Sequence, residues 1–210
     1  MSKPFAIAAI AVVAGAFAAA QTARQLNLRG DRFKPLTWEQ LTEAQKTMVA
    51  DLLSGSRASL GGPFNVLLRS PEMGNVAQKL GEYVRFKTSL AARLNELAIL
   101  INARFWESKY EWHAHRILAL KAGLDEAIAD AIARKERPAT MKADEALVYD
   151  FCTALHQRHF VDPALFQRAV AMFGEAGVMD LVGVSGYYTL VSMVLNVAEV
   201  PLPAGVTSPW

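Results

Sequence analysis

Trp106-Glu107-Ser108-Lys109-Tyr110-Glu111-Trp112-His113-Ala114-His115 is the stretch from which the rest of the chain can be read. Its ten residues hold two carboxylates, two histidines, a serine and three aromatic rings. Read as a helix opening at Ser108, it sets Glu111 and His115 four residues apart, on one face and one turn from each other. A carboxylate beside an imidazole is an arrangement for moving a proton. The remainder of the chain reads as a helical scaffold that holds and covers this pair. Glu111 also has two plainer readings. Ser108-Lys109-Tyr110-Glu111 fits a capping box, and a solvated helix charge has the same spacing. His115 alone fits a satisfied core histidine equally well.

The helix before this stretch, capped by Ser89, carries Leu90, Leu94, Leu97, Ile101 and Phe105. Glu96 sits beside that apolar stripe, where a charge is rarely left unpaired. It either pairs with Arg93 or Arg104, or faces His115 from the neighbouring helix. The central helix itself runs over about 109–122 and is stopped by Gly123. A short helix follows over 125–134 with Ile128 and Ile132 inward. After the break at Arg137-Pro138, the spacing predicts a helix over 144–159 with Leu147, Phe151 and Leu155 inside. Asp162 caps the next helix and Pro163 fits its first turn. That helix carries Leu165, Phe166, Ala169, Val170 and Phe173, and Gly174 and Gly177 close it. Residues 178–197 are apolar almost all round, only slightly broken by Asp180, Ser185 and Asn196, which predicts a central buried helix or a subunit interface. Val200-Pro201-Leu202-Pro203 is extended.

Toward the N-terminus, Pro71 opens a helix with Met73, Val76, Leu80 and Val84 on one side. Residues 54–65 are rich in Gly and Ser and include Gly61-Gly62-Pro63. Such a segment is either a binding loop or a surface connection. The first helix opens at Thr37, with Gln40 closing a capping box and Leu36 stapled to Leu41. Leu41, Met48 and Leu52 continue its stripe, and Ser54-Gly55-Ser56-Arg57 ends it. No strand-period run, internal repeat or low-complexity block interrupts this pattern, so the expected class is all-α. The helical domain spans 36–203, between a polar linker over 21–35 and a tail over 204–210.

With 210 residues, 52 % hydrophobic and 20 % charged, the chain can bury one core. A formal charge of +2 gives no reason to expect a nucleic-acid partner. Cys152 is the single cysteine, so no CxxC redox or zinc motif exists; inside an apolar run it reads as a small core residue. His113 lies two residues from His115 and points elsewhere on a helix. His156 and His159 flank a helix end and read as surface groups or partners of its dipole. No HExxH spacing is present, and no bound metal is expected. Near the N-terminus, Lys3, the apolar run over 5–17 and Ala18-Ala19-Ala20 have the layout of a secretory signal peptide over 1–20, cut at Gln21. An uncleaved anchor is the other reading, but the run is shorter than the roughly 20 residues a spanning helix needs. The expected location is therefore periplasmic or secreted, without stable membrane insertion after cleavage.

Several of these segments resemble, in this order, the carboxymuconolactone decarboxylase family, whose wider superfamily includes the alkylhydroperoxidase-like AhpD proteins. They are Arg69-Ser70-Pro71-Glu72, residues 93–100 (RLNELAIL), residues 110–115 (YEWHAH), Gly123-Leu124, and residues 183–190 (GVSGYYTL) on through Leu195-Asn196 and Pro201-Leu202-Pro203. The likeness covers most of residues 37–203. It implies an AhpD-like helical bundle that assembles as a homo-oligomer, a trimer or hexamer. It also implies a cofactor-free lyase acting on a small carboxylated lactone or related oxo acid. In the peroxidase branch a Glu, a CxxC pair and a His stand at positions matching Glu96, Ser108, Glu111 and His115. Both cysteines are replaced here, which removes thiol peroxidase chemistry. Glu followed four residues later by His is similar to the decarboxylase-like branch. The resemblance makes Glu96, Glu111 and His115 the expected catalytic groups, and their positions put Ser108 beside the substrate. Arg93 and Arg104, by charge type, are candidates to hold a substrate carboxylate. Phe64 and Asn65, beside the glycines, are expected at the pocket mouth. The alternative is a non-catalytic small-molecule-binding or structural oligomer on the same bundle.

Overall fold

The computed structural model describes residue 26, residues 30–57 and residues 59–210. The signal peptide expected over 1–20 lies outside the described residues, as does most of the linker expected over 21–35. Among the described residues there are eight α-helices and no strand, as the all-α reading requires. In chain order they are α1 (Glu43–Ser54), α2 (Pro63–Leu67), α3 (Pro71–Phe86), α4 (Ala92–Phe105), α5 (Lys109–Lys121), α6 (Glu126–Ala133), α7 (Ala143–Arg158) and α8 (Pro163–Val197).

Helix α4 is the axis of the bundle. Every residue over 94–104 is buried, and α5, α6, α7 and α8 all pack against it. Residues 178–197, expected as a central buried helix or a subunit interface, pack against this axis rather than forming it. That segment is the second half of α8, and it keeps an exposed side that includes Met179, Val182, Met193 and Val197. The break read at Gly174 is real: its φ of 69° and ψ of 172° divide α8 in two. The main core gathers Leu97, Ile99 and Leu100 of α4 with Trp112, Ile128, Phe151 and Leu181. A second core lies under α1–α3 and contains Met48, Leu52, Leu60, Phe64 and Leu68.

Several local readings are corrected. The box at Thr37 closes only a 3₁₀ turn, Trp38–Gln40. A second box opens α1, where Thr42 Oγ1 accepts from Gln45 N at 3.3 Å and Gln45 Oε1 accepts from Thr42 N at 2.9 Å. Ser89 does not cap α4; its N–H and hydroxyl both donate to Asp180 on α8, each at 2.7 Å. The described part of the expected linker is docked rather than free. Arg32 pairs with Glu199, and the carbonyl of Lys34 accepts from Arg69 at 2.6 Å. The expected tail is also docked: Trp210 packs edge-on against Trp112 at 5.1 Å, with the Arg104 guanidinium over its ring at 4.2 Å.

The largest departure is the face of α3. Of the apolar side read for this helix only Val84 is buried; Met73, Val76 and Leu80 are exposed, Val76 to 71 %. The inward side carries Gly74, Ala77, Gln78, Gly81 and Val84. Small residues let α3 lie close to α1 and α8. A Cβ on Gly74 would fall 2.7 Å from the carbonyl oxygen of Leu67 and 2.9 Å from the sulfur of Met48. Alanine in place of a helical glycine ordinarily gains about 1 kcal/mol. Here Gly74→Ala is expected to cost about 1–3 kcal/mol through overpacking, while Val76→Ala stays within about 0.5 kcal/mol. Urea unfolding of the two variants checks this, and the reverse order would mean that α3 is turned the other way.

Candidate active site

The site begins with how α4 ends. Glu107 takes a left-handed φ of 52°, Ser108 N–H donates to Ala103 O at 2.8 Å, and Glu107 N–H donates to Arg104 O at 3.3 Å. This is a Schellman closure with a glutamate where glycine is usual. Glu107 is held there by Lys135 at 2.9 Å and Arg104 at 3.4 Å. The chain turns back at once into α5, so the two helices run antiparallel and side by side. Glu96, near the middle of α4, then meets His115 on α5.

The imidazole lies between two carboxylates. His115 Nδ1 is 2.6 Å from Glu96 Oε2, and His115 Nε2 is 2.9 Å from Glu111 Oε1. All three side chains are buried. Burial pulls the pKa of His115 down, but the charges and hydrogen bonds of Glu111 and Glu96 outweigh it and hold the group up at about 9. At neutral pH the ring is therefore an imidazolium donating from both nitrogens. The capping role open to Glu111 is not taken up. Ser108 makes no side-chain cap bond, and the Glu111 carboxylate is turned to His115.

His115 and Glu111 form part of the wall of a cavity of about 380 Å³. Glu96 stands behind the ring, away from the cavity. The cavity lies at the seam between the two cores. Residues of 56–64 and of α3 line one side, and Tyr110, Tyr187, Tyr188 and Val191 the other. Tyr188 meets the His115 ring edge-on at 5.0 Å, and burial raises its hydroxyl pKa well above the ordinary value. The Gly-rich segment is thus a cavity-lining loop. Gly62, with φ of 61°, lets Tyr110 lie against the backbone, at 3.2 Å from where a Cβ would stand.

The candidates read from sequence separate into two groups. Glu96, Glu111 and His115 come together, and Phe64 lines the cavity, from helix α2 rather than from a loop. Asn65 faces away; its Oδ1 accepts from Arg69 at 2.8 Å. Ser108 is fully buried beneath the turn, not on the cavity wall. Arg93 is committed to Asp144 and Glu145 on α7, and Arg104 donates to Ala133 O at 2.7 Å and to Glu107. Neither lines the cavity. Its cations are Arg57 and Arg85 instead. Arg57 was legible to a degree, being the only charged residue over 54–65. Tyr187 and Tyr188 fall within residues 183–190 (GVSGYYTL), where the apolar run carries no local signal for a site. His156, read as a surface or dipole group, is half-buried and stacks on Phe105 at 4.6 Å, away from this site. Among the described residues no cluster of His, Cys, Asp and Glu has the makings of a metal site. Cys152 is buried in the main core, where burial pushes its thiol up to about 11 and Ser185 donates to it at 3.6 Å.

No protein-family model matches the chain, and no curated protein matches it.

Titration of His115 follows from the geometry. Its folded pKa, near 9, lies above the ordinary 6.5. The charge contribution of the triad to stability is thus fully present below about pH 6.5 and is lost as pH rises through 9. NMR of ring-labelled histidine should show one residue titrating near 9, and Glu111→Gln should bring it down. A His115 that titrates near 6.5 would contradict the imidazolium assignment.

Proposed function

We propose that this protein is a cofactor-free lyase of the carboxymuconolactone decarboxylase type on an AhpD-like bundle. It would act by decarboxylation or acid–base proton transfer on a small carboxylated lactone or related oxo acid. The observation that carries this reading is the His115 imidazolium, held between Glu96 and Glu111 on the wall of an aromatic-lined cavity. Loss of CO2 from such a substrate breaks one C–C bond and leaves the electron pair in the conjugated carbonyl as a dienolate. As the substrate takes the place of Glu111 at Nε2–H, the imidazolium stabilises that charge and gives the carbon its proton, while Nδ1–H stays on Glu96. Solvent then restores the proton to His115, helped by the two carboxylates that favour the charged ring. The electron sink belongs to the substrate, so the step requires no cofactor.

Glu111 serving only as a helix cap would favour the non-catalytic binding or structural alternative, and its turn toward His115 weighs against that. A homo-oligomer, a trimer or hexamer as the resemblance implies, is part of the same proposal. Met73, Val76 and Leu80 on α3 and Met179 and Val182 on α8 support it as exposed apolar surface. Export to the periplasm or outside the cell is proposed from residues 1–20 alone.

The test is release of CO2 from a panel of small carboxylated γ-lactones and oxo acids. Glu111→Gln should lower kcat by about 10²–10⁴-fold, and His115→Asn should do likewise in the protein that circular dichroism shows folded, at a cost in stability because it leaves two buried carboxylates without their cation. Cys152→Ser should leave turnover unchanged. If the wild type turns over none of the panel, or His115→Asn keeps full rate, the lyase reading fails.

A further inference from the structure

Two polar groups in the cavity wall are buried without a hydrogen-bond partner: Arg57 Nε and Tyr187 Oη. Buried polar groups are nearly always satisfied, so an unsatisfied pair at one place asks for an absent partner. The tips of both side chains stand against α3 at Gly81: a Cβ placed there would lie 2.1 Å from Tyr187 Oη and 3.0 Å from Arg57 Nη2. Gly81, having no side chain, is thus what makes room for the two tips beside each other at the edge of the cavity. The guanidinium is oriented by rings, 4.3 Å from the centre of Phe64 and 5.6 Å from that of Phe86. Glu82, the acid whose charge bears on it, is already engaged by Ser56, through the hydroxyl at 2.7 Å and N–H at 3.3 Å. Arg85 adds a second cation to the wall, lying over the ring of Phe86 at 5.1 Å.

Charge argues the same way. The wall that holds His115 also carries the carboxylate of Glu111, with Glu96 behind the ring. An anion entering beside it needs a counter-cation on the opposite wall, and Arg57 with Arg85 supplies one.

We propose that Arg57 and the hydroxyl of Tyr187, given room by Gly81, bind the carboxylate of a small flat acid and so set the substrate class of this site. Arg57 offers two parallel N–H bonds to the two oxygens, and Tyr187 donates a third. The inference deepens the lyase reading and rests on it for the identity of the cavity as a substrate site. Its test does not depend on turnover.

The probe is 2-furoate, a flat oxygen-ring carboxylate with no electron sink for decarboxylation, against its neutral isostere 2-furamide. Both are titrated calorimetrically into the full chain. Furoate should bind at least tenfold more tightly than furamide. Arg57→Met, which keeps the packing of the stem, should weaken furoate about ten- to hundredfold. Arg57→Lys should lose part of that, since an ammonium has no fork. Tyr187→Phe should cost several-fold, and circular dichroism should confirm the fold of each variant. The smaller changes to Lys and Phe keep the test open should Arg57→Met fail to fold. No binding of furoate by the wild type, equal binding of furamide, or unchanged affinity without the guanidinium would overturn the assignment. Absence of CO2 release alongside Arg57-dependent furoate binding would remove the lyase reading and leave this site standing.

Discussion

A carboxylate on the most enclosed helix of the molecule can stay there only if a cation meets it. Glu96 lies on α4, where every neighbouring position is buried. His115 supplies the cation, and Glu111 completes the group from the same helix as His115. Removing one partner from a buried pair typically costs about 3–5 kcal/mol, because the other charge is left in the interior. The packing of α5 on α4 therefore has an electrostatic condition that apolar contact alone does not impose. The core of the bundle and the candidate site share the same residues.

The cavity owes its position to a second constraint. Among the described residues the two larger apolar cores, one around α4 and one under α1–α3, meet imperfectly. The gap is walled by rings from both: Phe64 from the smaller core, Tyr187 and Tyr188 from the larger. Glycines at 62 and 81 keep the gap from being filled by backbone substituents and let Tyr110, Tyr187 and Arg57 approach. A concave pocket walled by rings, with aimed polar groups among them, is a usual form of a small-molecule site.

Much of this was readable from the chain, and what was not has identifiable causes. The i, i+4 spacing of Glu111 and His115, the lone acid at Glu96 and the stop at Gly123 are local signals that survive folding. The break at Gly174 was legible for the same reason. The face of α3 was not, because Gly74, Ala77 and Gly81 carry no hydrophobic signal while Met73, Val76 and Leu80 do. Close packing chose the small side, and hydrophobicity alone pointed to the other. The arginines were misassigned because an ion pair is a long-range fact. Nothing near Arg93 announces Asp144 and Glu145 about fifty positions later, and nothing near Arg104 announces the ring of Trp210. Arg57 stands in the cavity because its own region offers it rings in place of a carboxylate.

The three-residue turn at Trp106, Glu107 and Ser108 has a consequence for how this chain can change in length. Each residue added to or removed from a helix rotates everything beyond it by about 100°. The turn has no slack: its left-handed residue is pinned by two hydrogen bonds and two ion pairs. A single insertion or deletion there would swing His115 a quarter-turn or more around α5, out of reach of Glu96, while leaving the helix intact. The stretch between α6 and α7 has no such lever on the triad, since both helices lie beyond α5. Length variation compatible with the buried charge group belongs in that stretch, and the turn between α4 and α5 has to keep its count.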